Sequence, residues 1–271
     1  MYILEVIPIA TLPPQVPQLL SYFFNKELAK GAVVEVLIGN RKTPAVVVSS
    51  ESAENQKMRL KKSDFQVKKI SKVVSETPLV SDTQLKIALW LSQTYFAPLG
   101  LCLKTVLPGF FLQTNGLQIT YNKQIQTSEI LTLSRAKNII KNIEPEIKKA
   151  LQQVQGKQVL LVAPEISVAK YFYDYFSQHH ETTIIHSKLT QRQYRQSWDK
   201  IKSGDVDIII GTRQALFAPF QDLGLIIMED PANEAYKSDM TPKYNTATLV
   251  KKIAELNSAN LLFVSQTPDI D

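Results

Sequence analysis

The sequence predicts a small β-rich domain followed by an α/β domain with a parallel sheet. Near the N-terminus, β-branched runs at 32–38 and 43–49 flank Gly39-Asn40-Arg41-Lys42, a pattern typical of a β-hairpin. From residue 129 onward, short apolar runs alternate with amphipathic segments, which indicates strands separated by helices. The polar stretch 113–128 lies between these patterns. We therefore expect domains at 1–112 and 129–271, joined by a linker at 113–128.

The first domain is expected to be of the α+β class, built around a small barrel-like sheet. The N-terminal stretch and residues 65–74 are predicted strands, and residues 50–66 a polar loop. Ser81 is a favourable N-cap for a helix that continues to about Tyr95, with apolar residues at helical spacing. Beyond this helix, prolines and glycines between 98 and 109 interrupt regular structure.

The second domain is predicted to alternate strands and helices. Strands are expected at 130–133, 158–162, 182–186, 207–211, 225–229 and 261–265, and helices at 143–154, 167–178, 190–202 and 245–256. Functional residues of parallel sheets lie at the carboxyl ends of the strands. Glu229 and Asp230 occupy that position after a buried strand, where nucleotide-driven motors hold magnesium.

Composition excludes several classes of protein. The chain is 44% hydrophobic and 21% charged, as a folded globular protein is, and it has no apolar run long enough to span a membrane. Its single cysteine, Cys102, excludes an internal disulfide and a cysteine-based zinc cluster. We therefore expect a reducing, cytoplasmic location. The first residues resemble a strand more than a signal peptide, and we expect no membrane partner.

Positive charge is concentrated in the first domain. The chain carries +6, and residues 1–112 hold 13 Lys/Arg against 8 Asp/Glu, or +5. Many of these cations lie between Lys57 and Lys72. Such a patch favours a polyanion such as DNA, although a solvated lysine-rich loop is the simpler alternative.

Several segments resemble the PriA family of superfamily 2 DNA helicases, which act in replication restart. The segment HSKLTQRQYRQSWDKIKSGDVDIIIGTRQALFAPFQDLGLII (186–227) is similar to the family's first motor lobe, and LLVAPEIS (160–167), AYKSDMTPKY (235–244) and VSQTP (264–268) are similar to its other motifs. Residues 31–49 and 77–110 resemble its 3′-DNA-binding domain. The resemblance implies this domain at 1–112 and a RecA-like helicase lobe at 129–271. It leaves no room for the family's winged helix, and its zinc modules and second lobe are not found before Asp271.

The resemblance assigns DNA-binding roles in the first domain. Leu20, Ser21 and Tyr22 replace the Phe-Asp-Tyr of a pocket for the terminal base and hydroxyl of a DNA strand, and Gly39 matches the pocket's glycine. Arg41, Lys61 and Lys62 are further candidates for DNA contact. Because Ser21 lacks the family's carboxylate, we expect weaker recognition of a 3′ hydroxyl.

In the second domain the resemblance places two loops on DNA. Thr212 and Arg213 match the loop that meets the single-stranded backbone in helicases, although a strand-end turn is an equal alternative. The aromatic-rich loop offers tyrosines for base stacking and lysines for phosphates. Its candidate residues are Tyr236, Lys237, Lys243 and Tyr244. Both tyrosines have the alternative of folding back on the core.

The nucleotide site departs from the family. The phosphate cradle aligns with residues 135–142, which contain no glycine, although Lys141 falls on the phosphate-binding lysine. We interpret Lys141 as a weak nucleotide candidate and, alternatively, as a solvated lysine at a helix N-terminus. Glu229-Asp230-Pro231-Ala232 replaces Asp-Glu-Glu-His, which exchanges the lengths of the two acids. Autonomous ATP hydrolysis is therefore not expected, and neither are a cofactor or a metal site.

Three hypotheses for function are compatible with the sequence. The first is a DNA-binding protein of replication restart that recognises branched or 3′-ended DNA, or single-strand/duplex junctions, without unwinding it. The second is an ATP-dependent 3′-5′ helicase subunit completed by a separate second lobe, and only this hypothesis requires ATP and Mg²⁺. The third is an adaptor that binds other replication-restart proteins. Binding to forked DNA tests the first hypothesis, and stabilisation by nucleotide tests the second.

Overall fold

The computed structural model describes residues 1–13, 15–54, 67–109, 129–153 and 158–265. The chain divides into two compact units, Met1–Thr120 and Tyr121–Asp271. The predicted linker at 113–128 lies outside the described residues, as do Lys61, Lys62 and residues 266–268. No helix in the described ranges combines the length and apolarity needed to cross a membrane.

The first unit is built on a six-stranded mixed sheet. Its strands are β1 (Tyr2–Pro8), β2 (Leu20–Phe24), β3 (Val33–Ile38), β4 (Arg41–Ser52), β5 (Lys68–Lys69) and β6 (Lys72–Ser75). The order across the sheet is β5-β2-β1-β4-β3-β6, and only the β2–β5 pair is parallel. The strand predicted at 65–74 is thus two short strands in its described part.

This sheet curls into a half-barrel. The Tyr22 hydroxyl donates to the Leu37 carbonyl at 2.8 Å, although β1 and β4 lie between the strands that carry them. On a flat sheet these strands would be about 14 Å apart, farther than a tyrosine reaches. The concave face holds the apolar residues that drive the curl, among them Leu4, Val34 and Val47. The expectation of a small barrel-like sheet is confirmed.

Two helices come after the sheet. Helix α1 (Asp82–Thr94) begins at Ser81, whose hydroxyl accepts from the Gln84 N–H while the Gln84 side chain accepts from the Ser81 N–H. This reciprocal capping box satisfies two backbone donors at the helix start. Helix α2 (Leu99–Val106) packs on α1. The predicted N-cap is confirmed.

The second unit is an all-parallel sheet covered by helices. Its strands are β7 (Gln158–Val162), β8 (Thr182–Ile185), β9 (Ile208–Gly211), β10 (Leu223–Glu229) and β11 (Asn260–Val264), in the order β11-β10-β7-β9-β8. Its helices are α3 (Glu129–Gln153), α4 (Ile166–Phe176), α5 (Gln191–Ser203) and α6 (Thr246–Asn257). Alternate strand residues such as Val159 and Leu161 face α3 and α4. Because Leu160 and Ile226 on the other face are also fully buried, both faces are covered.

One predicted strand is wrong. Residues 130–133 lie in the first turns of α3, so the described part of the sheet has five strands where six were expected. Ile139, Ile143 and Ile147 continue the helical repeat along the buried face of α3. The helix predicted at 143–154 begins earlier, at Glu129. Pro145 lies inside it, where it lacks the N–H that would bond the Lys141 carbonyl.

Candidate nucleic-acid interface

The carboxyl edge of the parallel sheet gathers the loops that the sequence marked for function. Three backbone hydrogen bonds join these loops: Ala163 N–H to Gly211 O at 2.9 Å, Thr212 N–H to Ile185 O at 3.2 Å, and Asp230 N–H to Val264 O at 2.7 Å. Gly211 is required here because a Cβ would lie 2.1 Å from the Ile185 carbonyl oxygen. The edge is therefore a connected set of strand ends.

The two carboxylates at the end of β10 have different surroundings. The side chain of Glu229 is buried, with the residue 1% exposed. Asp230 takes a left-handed backbone conformation, with φ of 50°, and its Oδ2 accepts from the Asn233 amide at 2.9 Å. Both carboxylates lie at the strand end that the sequence predicted. Glu229 is buried in the core, and Asp230 is held by its hydrogen bond to Asn233 in the following turn.

The aromatic-rich loop folds back on the core. Tyr236 is 1% exposed, and its hydroxyl donates to the Glu229 carbonyl at 2.7 Å and the Val162 carbonyl at 3.2 Å. Tyr244 is also buried and meets Phe217 edge to face, with ring centroids 5.9 Å apart. Burial raises the pKa of Tyr244 to about 12. Of the two alternatives from sequence, the structure has the one in which both tyrosines pack rather than present a free face for stacking.

The base of this loop is clamped by Arg213. Its guanidinium donates to the Lys237 carbonyl, and the Ser238 N–H donates to the Tyr244 carbonyl at 3.1 Å. The side chains of Lys237 and Lys243 are exposed, and Lys237 pairs with Glu234 at 2.7 Å. Thr212 is half-buried at the strand end. The structure thus brings Thr212, Arg213 and the two loop lysines together as a cationic edge, in which Arg213 also holds the loop.

His186 orders the loop after β8. Its Nδ1 accepts from the Lys188 N–H at 3.2 Å, and the residue is 7% exposed. Burial lowers the pKa of His186, and Lys170 and Lys188 lower it further. A loop-ordering role was the expectation from sequence, and the contact agrees with it.

Residues 135–142, which align with the family's phosphate cradle, form part of the interior of α3. In a helix interior the backbone N–H groups are bonded within the helix, so they do not form a nest for phosphates. Lys141 is exposed on this helix, twelve residues beyond its first residue, so the interpretation as a lysine at a helix N-terminus is wrong. These helical residues therefore do not offer a backbone cradle to the phosphates of a nucleoside triphosphate.

In the first unit, strand alternation separates the three residues assigned to the DNA-end pocket. Leu20 and Tyr22 face the concave core, and burial raises the pKa of Tyr22. Ser21 lies on the opposite face of β2. Gly39 forms the two-residue turn between β3 and β4, with φ of 58° and open space around it, and Arg41 is exposed beside it. The Tyr22–Leu37 hydrogen bond brings β2 close to this turn.

A carboxylate that the sequence did not single out lies beside Ser21. Glu5 on β1 is directly opposite Ser21 on β2 and Ser49 on β4, and the Ser49 hydroxyl donates to Glu5 Oε2 at 3.1 Å. Lys68 and Lys69, on the strand next to β2, are exposed. An acidic residue inside an apolar strand, Glu5 between Leu4 and Val6, could have been noticed in the sequence. Only the strand register shows that it lies beside Ser21 and Ser49.

Comparisons with known proteins agree with the resemblance. The family model for the PriA 3′DNA-binding domain (3′BD) matches residues 6–108. Replication restart protein PriA of Helicobacter pylori strain 26695 is 27% identical over 279 residues, which cover 97% of this chain and 43% of that protein.

The chain is similar to PriA proteins over almost its whole length, and residues 6–108 match the PriA 3′DNA-binding domain.

Other relatives match in the same way. PriA of Rickettsia prowazekii is 25% identical over 293 residues, covering 98% of this chain and 43% of the relative. PriA of Chlamydia trachomatis is 34% identical over 128 residues, covering 46% of this chain and 17% of the relative. The chain thus spans less than half the length of these PriA proteins. Among solved structures, the helicase domain of Hef from Pyrococcus furiosus aligns with a TM-score of 0.34 and 14% identity, covering 49% of this chain and 28% of that chain.

Proposed function

We propose that the chain binds DNA, that it prefers branched or 3′-ended DNA, and that it acts in replication restart. The match of the half-barrel to a 3′DNA-binding domain over residues 6–108 carries this proposal. The charge of residues 1–112 supports it, because 13 basic residues against 8 acidic ones attract a polyanion. Lys68 and Lys69 place exposed cations on the edge of the sheet next to β2.

The second unit contributes a further cationic surface in this proposal. Arg213, Lys237 and Lys243 lie on neighbouring loops at the carboxyl edge of the sheet. Lysines and arginines on loops meet phosphates without reading sequence. Because Tyr236 and Tyr244 are packed into the core, this surface would grip the backbone of a strand rather than stack on its bases.

Binding is tested by fluorescence anisotropy with a labelled fork that has a free 3′ end, compared with a blunt duplex of the same length. We expect tighter binding to the fork and an affinity that falls linearly with salt on logarithmic axes. Absence of binding to either DNA at low salt would sink the proposal, as would equal affinity for both.

We propose further that the chain alone neither binds nor hydrolyses ATP. Two observations support this: residues 135–142 are helical and lack glycine, and the Glu229 carboxylate is turned into the core. A ligand that binds the folded state raises its stability, so millimolar Mg-ATP should leave the unfolding temperature unchanged.

One observation supports the helicase hypothesis: two acidic residues, Glu229 and Asp230, lie at the end of β10. This hypothesis predicts that Mg-ATP raises the unfolding temperature of the chain. The unfolding temperature in Mg-ATP therefore separates the helicase hypothesis from the proposal that the chain does not bind ATP. The adaptor hypothesis predicts that the chain binds neither DNA nor ATP.

A further inference from the structure

The parallel sheet of the second unit has an open edge at β11. This strand is the last in the order across the sheet and pairs with β10 alone. Because the Asp230 N–H donates to the Val264 carbonyl, the backbone groups of Val264 point toward β10, and those of Leu261 and Phe263 point away from it. No residue in the described ranges bonds these two N–H and two C=O groups. The edge therefore offers four backbone groups at the spacing that another strand matches.

The opposite edge of the sheet, at β8, is partly closed by the chain itself. The Ser197 hydroxyl donates to the Ile184 carbonyl at 3.1 Å, and just after the strand the Leu189 N–H donates to the His186 carbonyl at 3.2 Å. Proteins protect the edges of their sheets with such covers, or with charged residues and prolines. The sequence of β11, Asn-Leu-Leu-Phe-Val, has neither a charge nor a proline. Of the two edges, β11 is therefore the one more open to a further strand.

The side chains of β11 are apolar on both faces of the sheet. Leu262 and Val264 pack, partly buried, against the core beneath α3 and α4. Phe263 lies on the other face, where the Lys251 ammonium group of α6 is 5.9 Å from the centre of its ring. Phe263 is nevertheless 38% exposed. An exposed aromatic residue beside unpaired backbone groups is typical of a strand that pairs with another chain.

The edge of β11 is complementary to a second copy of itself in the antiparallel direction. A two-fold axis at Leu262 sets Leu261 of each copy opposite Phe263 of the other. Residues that point toward each other across an antiparallel pair exchange both N–H···O bonds, so all four outward groups would be satisfied. The same axis brings the two Leu262 side chains together and packs each Phe263 ring on a leucine. A contact of this kind is closed, because each copy uses the same surface.

From this complementarity we infer that two copies of the chain associate through β11 and join their sheets into one. The joined sheet has ten strands, five from each copy. A second copy is favoured over an unrelated protein because every outward group of this edge finds its partner in the same edge, turned by the two-fold axis. The residues proposed to meet DNA lie outside β11, so the association is independent of DNA binding.

Sedimentation velocity of the full chain across the micromolar range tests the association. Wild type should pass reversibly from monomer to dimer as its concentration rises. Leu261→Pro removes an outward N–H and leaves the bonds to β10 in place, so it should raise the dimer dissociation constant at least about tenfold. The matched control is Thr182→Pro, because the Thr182 N–H points away from the sheet at the β8 edge. This variant should dimerise as wild type does.

Cross-linking tests the register of the two strands. In the proposed pair the two Leu262 Cα atoms are about 4.5 Å apart, within the range that a disulfide spans, so Leu262→Cys should form a covalent dimer under mild oxidation. The two Leu261 Cα atoms are offset along the strands and lie about 8 Å apart, so Leu261→Cys should not. The natural Cys102 is buried, and burial raises its pKa to about 11, which keeps it an unreactive thiol in both variants.

A second variant guards against a folding defect caused by proline. Phe263→Lys keeps the backbone of β11 and places a charge in the contact, so it should also raise the dimer dissociation constant at least about tenfold. The inference is overturned if wild type stays monomeric at every concentration, or if Phe263→Lys dimerises as wild type does. Equal weakening by Leu261→Pro and Thr182→Pro, or equal cross-linking at positions 261 and 262, would overturn it as well.

Discussion

Replacing Tyr236 with Phe tests whether the aromatic-rich loop is part of the core. The ring would remain in place, but the hydroxyl that joins the ends of β7 and β10 would be lost, with its bonds to Glu229 O at 2.7 Å and Val162 O at 3.2 Å. A typical hydrogen bond contributes about 1 kcal/mol net, and buried groups left without a partner cost more. We therefore expect the free energy of unfolding of the second unit to fall by about 1.5–3 kcal/mol.

The two tryptophans allow this loss to be assigned to one unit. Trp90 lies in the first unit and buried Trp198 in the second, so a Trp90→Phe background leaves Trp198 fluorescence as the reporter. For a domain of this size the expected loss lowers the unfolding temperature by roughly 3–12 °C. DNA affinity should change by less than about twofold, because the hydroxyl faces the core. An unchanged unfolding temperature would refute the packing of Tyr236 against the strand ends.

Three further predictions use the same assays. Gly211→Ala should destabilise the second unit by about 3 kcal/mol or more, because its Cβ would lie 2.1 Å from the Ile185 oxygen and 2.8 Å from Ala215 Cβ. The control is Gly109→Ala, since Gly109 has open space around it. Equal unfolding temperatures for the two variants would contradict the packing at Gly211. The double variant Lys68→Glu, Lys69→Glu should weaken fork binding at least about tenfold and lower the slope of log affinity against log salt concentration by about 2. The control, Lys141→Glu with Lys149→Glu, makes the same charge change at exposed positions of α3 and should weaken binding much less. Equal effects would show that β5 is not part of the interface. Burial and two lysines lower the pKa of His186, so the unfolded state binds more protons near pH 6; the stabilising contribution should be complete above about pH 6.5 and fall as the pH decreases. His186→Gln in the Trp90→Phe background should flatten this pH dependence of the free energy of unfolding, measured by urea titration. An unchanged pH dependence would exclude His186 as its source.

Local signals in the sequence predicted most of the fold. Gly39-Asn40 set the hairpin, and Ser81 with Gln84 set the start of α1, because both depend on neighbouring residues alone. The five apolar strands of the second unit were recognisable because a sheet covered on both faces needs continuous hydrophobic runs. The predicted strand at 130–133 was wrong because four residues, three of them apolar, are too few to show a distinguishing period.

The candidate site was less predictable, because it depends on contacts between distant residues. Sequence marked Tyr236 and Tyr244 as aromatic but left open which way they face, and burial decides it. Glu5 meets Ser21 only through the pairing of β1 with β2, which a single sequence does not specify. The placement of Lys141 at a helix N-terminus failed because residues 130–133 were predicted as a strand, whereas the helix already begins at Glu129.

The most direct test of the central claim, that this chain holds DNA without being a motor, is ATP hydrolysis measured on the fork that it binds. The purified chain, the fork and Mg-ATP are combined, with anisotropy confirming that the fork is bound. We predict phosphate release no faster than without protein. Hydrolysis that rises with added fork, and that Asp230→Asn abolishes, would contradict the claim.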